Sequence, residues 1–91
     1  MGVSAQVSVY PLGQGDPSSA IHAAWEAFRA HRLEYQPGSM STLLQGDTEQ
    51  VFAALHDAFQ AAAERGATVM VITVSNACPP LPSREAVAGD A

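Results

Sequence analysis

Apolar and polar side chains alternate from Val3 to Tyr10. Val3, Ala5, Val7 and Val9 fall on one side and Ser4, Gln6, Ser8 and Tyr10 on the other, the two-residue period of a strand with one covered face. Pro11 and Gly13 end the pattern. After Asp16-Pro17, an N-cap acceptor followed by a proline suited to the first turn, Ile21, Ala24, Trp25 and Phe28 recur at helical spacing. His31 and Arg32 stand near the C-terminal end of that helix, where positive charge is favourable. "LEYQPGSMSTLLQGD" predicts two short strands, residues 33–36 and 40–45, joined around Pro37-Gly38. A second helix follows. Asp47 would cap it, Gln50 three residues on completes a capping box, and Gly66 stops it. Its apolar stripe reads Val51, Phe52, Leu55, Ala58, Phe59 and Ala62. "ATVMVITVSN" is rich in β-branched residues and apolar on both faces, which predicts a final strand. The segment "CPPLPSREAVAGDA" offers no such period. The chain therefore divides into a domain over residues 1–78 and a Pro-rich, flexible tail over residues 79–91.

The order β-α-β-β-α-β is that of a ferredoxin-like α+β sandwich, a four-stranded antiparallel sheet with two helices on one face. Right-handed crossovers lead to the expectation that the first and last strands lie in the middle. The triplet Gln-Gly-Asp occurs twice, at residues 14–16 and 45–47, once at each strand-to-helix corner. As a phosphate cradle it fails: an aspartate already occupies each cap, no lysine follows, and the glycine-rich length of a P-loop is missing.

Composition narrows the function classes. Ninety-one residues, 47% hydrophobic and 14% charged, make one domain whose core is thin, so self-association is expected. Nine acidic residues against four arginines and no lysine give a net charge of −5, which leaves no basic stripe for nucleic acid and favours neutral or cationic ligands. Cys78 is the one cysteine, so no intramolecular disulfide forms. No signal-like start and no apolar run of about 18 residues is visible, so a cytoplasmic location without membrane attachment is expected.

Enzymatic chemistry finds no foothold. His22, His31 and His56 lack metal-ligand spacing, no CxxC occurs, and no histidine stands beside a strand serine. The loop "PLGQGDP" has neither the arginine of an acylphosphatase nor the cysteines of a metallochaperone. Tyr10 alone does not supply the stacked aromatics of an RNA-recognition sheet. No catalytic residue, metal or cofactor is expected. What remains is the sheet face away from the helices. Gln6, Ser8 and Tyr10 line it, together with one of two sets on the last strand: Met70, Ile72 and Val74, or Val69, Val71 and Thr73. An apolar face of that kind favours subunit packing, with a ligand pocket at its edge as a compatible addition.

"VSAQVSVYPLG" followed by "LEYQPGSMSTLLQGDTEQVF" resembles the small YkoF-like thiamine-binding proteins. That group has a strand ending in a "YP" corner and then a Y-x-x-G-x-x-x-T-x-x-x-G-D segment. Tyr10, Pro11, Tyr35, Gly38, Thr42, Gly46 and Asp47 match it, and the resemblance spans residues 3 to about 76. It implies a ferredoxin-like subunit assembled into dimers or tetramers that binds thiamine or its hydroxymethylpyrimidine moiety without chemistry. For such a ligand Gln6, Ser8, Thr42, Thr73, Ser75 and Asn76 are the sheet residues that would supply hydrogen bonds, and Tyr10 a stacking surface. The alternative is a protein-interaction or regulatory module that uses the open sheet face.

Overall fold

In the computed structural model, which describes residues 1–13, 15–38 and 41–77, the alternating segment is the strand β1 (Gly2–Pro11). Helix α1 (Ser18–Ala30), strands β2 (Glu34–Pro37) and β3 (Thr42–Asp47), helix α2 (Thr48–Ala63) and strand β4 (Thr68–Ser75) follow. The fold is ferredoxin-like. Residues 78–91, Cys78 and the expected tail among them, lie outside the described residues.

The sheet runs β2-β3-β1-β4, every neighbouring pair antiparallel. The expectation that the last strand is central is corrected: β1 and β3 are central, and β4 is an edge. Each βαβ crossover skips one position, and the first strand of the other half fills the gap. β4 is apolar on both faces and, among the described residues, is paired on one side.

Register assigns the faces. Val7 stands opposite Thr42 and Ile72, and Gln6 opposite Leu43 and Thr73. Val3, Ala5 and Val7 are buried beneath the helices, and Met70 and Val74 pack against the same core. The complementary set Val69, Val71 and Thr73 faces away from the helices and is exposed.

The helices meet each other through small residues. Ala20 and Ala24 of α1 and Ala54, Ala58 and Ala62 of α2 are fully buried, so the two helices pack close together, with Phe28, Leu44 and Val51 filling the interior. Two residues expected in the α2 stripe are not in it. Phe52 and Phe59 are 51% and 41% exposed, because they lie over the edge strand β4, lining a shallow hollow with Met70 and Ile72, while the alanines fill the contact with α1.

The helix starts differ from expectation as well. Asp16 does not cap α1; it accepts a hydrogen bond from the Ser18 N–H at 3.0 Å, one residue inside the Pro17 cap position. Asp47 holds the cap position of α2 in an extended conformation but makes no side-chain capping bond. Its carboxylate lies 3.6 Å from the chain's own ammonium group, while the Thr48 N–H and hydroxyl both donate to the Met1 carbonyl. Gln50 does not close a capping box. It donates to the carbonyl of His31, tying α2 to the end of α1.

Candidate site between the first helix and the hairpin

The two faces of α1 go to different partners. Ala20 and Ala24 are fully buried, whereas Ile21 and Trp25 are half-buried over the C-terminal half of β1. There the short β2–β3 hairpin stops and leaves a cavity of about 450 Å³. Val7 and Val9 of β1 form its floor, Tyr10 borders it where the strand ends, and Gly38, Ser41 and Thr42 of the hairpin make one wall. Ser18, Ile21, His22, Trp25 and Phe28 of α1 close the other side. That volume lies in the range of small-molecule sites, roughly 300–1,000 Å³. None of the described lining residues carries a carboxylate, an ammonium or a guanidinium group.

Polar groups sit at defined points of this cavity. Thr42 is the one polar residue among the buried described side chains, and its Oγ1 accepts a hydrogen bond from the Trp25 indole Nε1 at 3.1 Å. The Trp25 ring lies 5.2 Å from the imidazole of His22 at a tilt of 44°. Together they make a partly exposed aromatic wall with a titratable group at its rim. Ser18 and Ser41 add hydroxyls. The Gly38 N–H bonds the Ser41 carbonyl at 2.7 Å, and a Cβ at position 38 would come within 2.9 Å of that oxygen, so the tight hairpin wall depends on glycine.

The structure divides the residues expected to form a site. Thr42 and Tyr10 border the cavity. Gln6, Ser8, Thr73 and Ser75 share the open sheet face, on the other side of the sheet from Thr42. Asn76 lies past the end of β4, where its amide contacts Met1 Sδ at 3.5 Å, and Ser75 Oγ accepts from the Ala77 N–H at 2.9 Å. These residues do not converge on one cavity. Trp25, His22, Ser18 and Ser41 were not singled out from sequence. The available signal was Trp25: a half-buried indole N–H seeks an acceptor, which a helix stripe alone does not name.

Other matches to the motif are structural. Tyr35 packs its ring 6.2 Å from Phe28 and accepts from Arg29 Nη2 at 3.3 Å. That bond, with Glu26 at 3.1 Å, raises the Arg29 guanidinium above its ordinary value. Away from the cavity, Asp57 of α2 lies 2.7 Å from His31 Nε2 and 3.2 Å from His56 Nδ1. The His31 bond, and after it the His56 bond, hold the Asp57 carboxyl below the usual aspartate value. Among the described residues no group of three or more His, Cys, Asp or Glu side chains is arranged to hold a metal ion. Nor is any described helix long and apolar enough to cross a membrane.

Residues 5–76, which span both βαβ halves and the whole cavity, match the family described as thiamine-binding protein. The chain belongs to that family. It is 35% identical over 57 residues to the UPF0045 protein MJ1052 of Methanocaldococcus jannaschii, a match covering 62% of this chain and 57% of that protein, less than two thirds of its length. The crystal structure of MJ1052 superposes with a TM-score of 0.79 at 24% identity over 98% of this chain and 94% of the other. A Bacillus cereus domain of unknown function, DUF77, gives 0.73 at 26% identity over 82% and 75%. A Thermotoga maritima protein, named for a proposed role in thiamine biosynthesis or salvage, gives 0.77 over the full length of both chains. At 15% identity that last likeness concerns the fold alone.

Proposed function

We propose that this member of the thiamine-binding family binds thiamine, or its hydroxymethylpyrimidine moiety, without chemistry, in the cavity between α1 and the β2–β3 hairpin. The observation that carries this reading is a small-molecule-sized cavity with an indole wall and hydroxyl groups, inside the matched segment. An aminopyrimidine is flat, apolar on its faces and polar on its edge. Trp25 offers it a stacking surface, and Thr42, Ser41 and Ser18 offer its edge hydrogen bonds. The thiazolium cation of thiamine suits a chain of net charge −5, and none of the described lining residues is an arginine or lysine that would hold a diphosphate. Role and compartment follow the same reading: a cytoplasmic, non-enzymatic binder.

The open sheet face supports a second element of the proposal, self-association into dimers or tetramers. Tyr10, Leu43, Val69 and Val71 are exposed together on that face, a patch that water disfavours. A foreign protein partner on the same face is the competing reading, and a homo-oligomer that buries it excludes that reading.

Isothermal titration with thiamine, hydroxymethylpyrimidine and thiamine diphosphate tests the ligand. The expected order is binding of the first two with the diphosphate weaker. Quenching of fluorescence from Trp25, the chain's one tryptophan, should accompany the heat. Heat without any change at Trp25 would put the ligand elsewhere, and no heat with all three compounds would overturn the reading.

A further inference from the structure

Thr42 is buried on the helix-facing side of the sheet, and its neighbours there are Val7 on β1, Pro37 on β2 and Leu44 two residues along β3. None of those side chains accepts a hydrogen bond. The bond from Trp25 has a fixed sense, because an indole nitrogen only donates. The threonine oxygen is therefore the acceptor, and the hydroxyl proton is the group's one remaining donor. With an indole on one side and aliphatic neighbours on the strands, that proton is directed to the side where the cavity opens.

We infer that Trp25 is a positioning residue that sets the Thr42 hydroxyl as a hydrogen-bond donor into the cavity, so that the site selects flat ligands presenting an unprotonated ring nitrogen at that point. The inference deepens the proposed thiamine or pyrimidine binding and rests on it. Without the indole bond, the hydroxyl can rotate and present a lone pair instead, so the site accepts ring C–H and ring N alike. Selectivity then belongs to the pair Trp25–Thr42, not to Thr42 alone. A ligand lacking the acceptor leaves a buried donor unpaired, which costs roughly tenfold in affinity.

The test compares hydroxymethylpyrimidine with the benzyl alcohol that carries the same amino and methyl substituents and no ring nitrogen. The wild-type protein should prefer the pyrimidine by roughly tenfold or more. Trp25→Phe keeps an aromatic wall, and Thr42→Val keeps the shape of the threonine. Each should bring the preference near unity, and the double variant should lose nothing beyond either single one. Thr42→Ser should keep the preference. An additive loss, or an unchanged preference in Trp25→Phe with circular dichroism intact, overturns the positioning role.

A second readout needs no ligand. The single indole N–H resonance should shift, and its exchange with solvent should speed up, in Thr42→Val. If the indole responds as stated while neither compound binds the wild-type protein, the thiamine reading and the selectivity built on it both fail, although the indole bond exists. If the pyrimidine binds but the preference survives Thr42→Val, the positioning inference alone fails.

Discussion

Gly46 sits where β3 passes into α2, and a Cβ there would run into Leu33 Cδ2 while lying 3.3 Å from Gln50 Oε1 and 3.5 Å from Val51 Cγ2. Leu33 is 6% exposed and Val51 is fully buried, so neither can step aside freely. Gly15, the glycine of the other Gln-Gly-Asp triplet, has nothing within 4 Å of its virtual Cβ. The same three letters thus carry different constraints. Gly46→Ala should destabilise the fold by about 1–3 kcal/mol, the range for overpacking a tight site. Gly15→Ala should stay within about 0.5 kcal/mol of the parent. Urea unfolding of the two variants side by side checks this, and equal midpoints would refute the assignment of Gly46 to a close approach.

At the scale of elements, α1 and α2 are fastened at one end by side chains as well as by alanine packing. Gln50 of α2 donates to the His31 carbonyl, and Asp57 of α2 receives the His31 and His56 imidazoles. Asp57 titrates below its ordinary value of 3.8 in the folded chain, so folding favours the carboxylate. That stability is present above the unfolded value and is lost as pH falls through the lower folded one. The Tm difference between wild type and Asp57→Asn should therefore be open at about pH 5 and close progressively below about pH 4. A difference that stays constant through that window would show that the carboxylate contributes nothing by its charge. None of this fastening was legible in the sequence, since His31 and Asp57 lie on different elements. The strand alternation of β1 and the stripe of α2 were legible, because period alone decides which residues share a face. The exposure of Phe52 and Phe59 was not: it depends on β4, the strand they lie over, being at the edge of the sheet. Likewise, Thr42 could be placed on a strand, but its donor Trp25 sits 17 residues away, across a helix and a hairpin.

For the whole molecule, the edge position of β4 matters most. No described strand pairs with its outer side, and Val69, Val71 and Ile72 are 45%, 52% and 41% exposed. Edges of this kind invite pairing with another chain, and nothing charged on β4 itself blocks it. Opposing this is a net charge of −5 on every copy, a repulsion that salt screens. Association should therefore tighten as ionic strength rises from about 0.01 M to 0.15 M. Val71→Arg places a charge on the open face of the edge strand without touching the core. It should convert the protein to single chains of unchanged circular dichroism, as measured by sedimentation across that salt range. The cavity is floored by Val7 and Val9 on the helix-facing side of β1, opposite the face that carries Val71, so those single chains should still bind hydroxymethylpyrimidine with wild-type affinity. Loss of binding together with loss of assembly would mean that the site is completed by a second copy. Retained binding in the monomer would separate the two properties: a pocket built by α1 and the hairpin, and an assembly built by the opposite face and edge of the sheet.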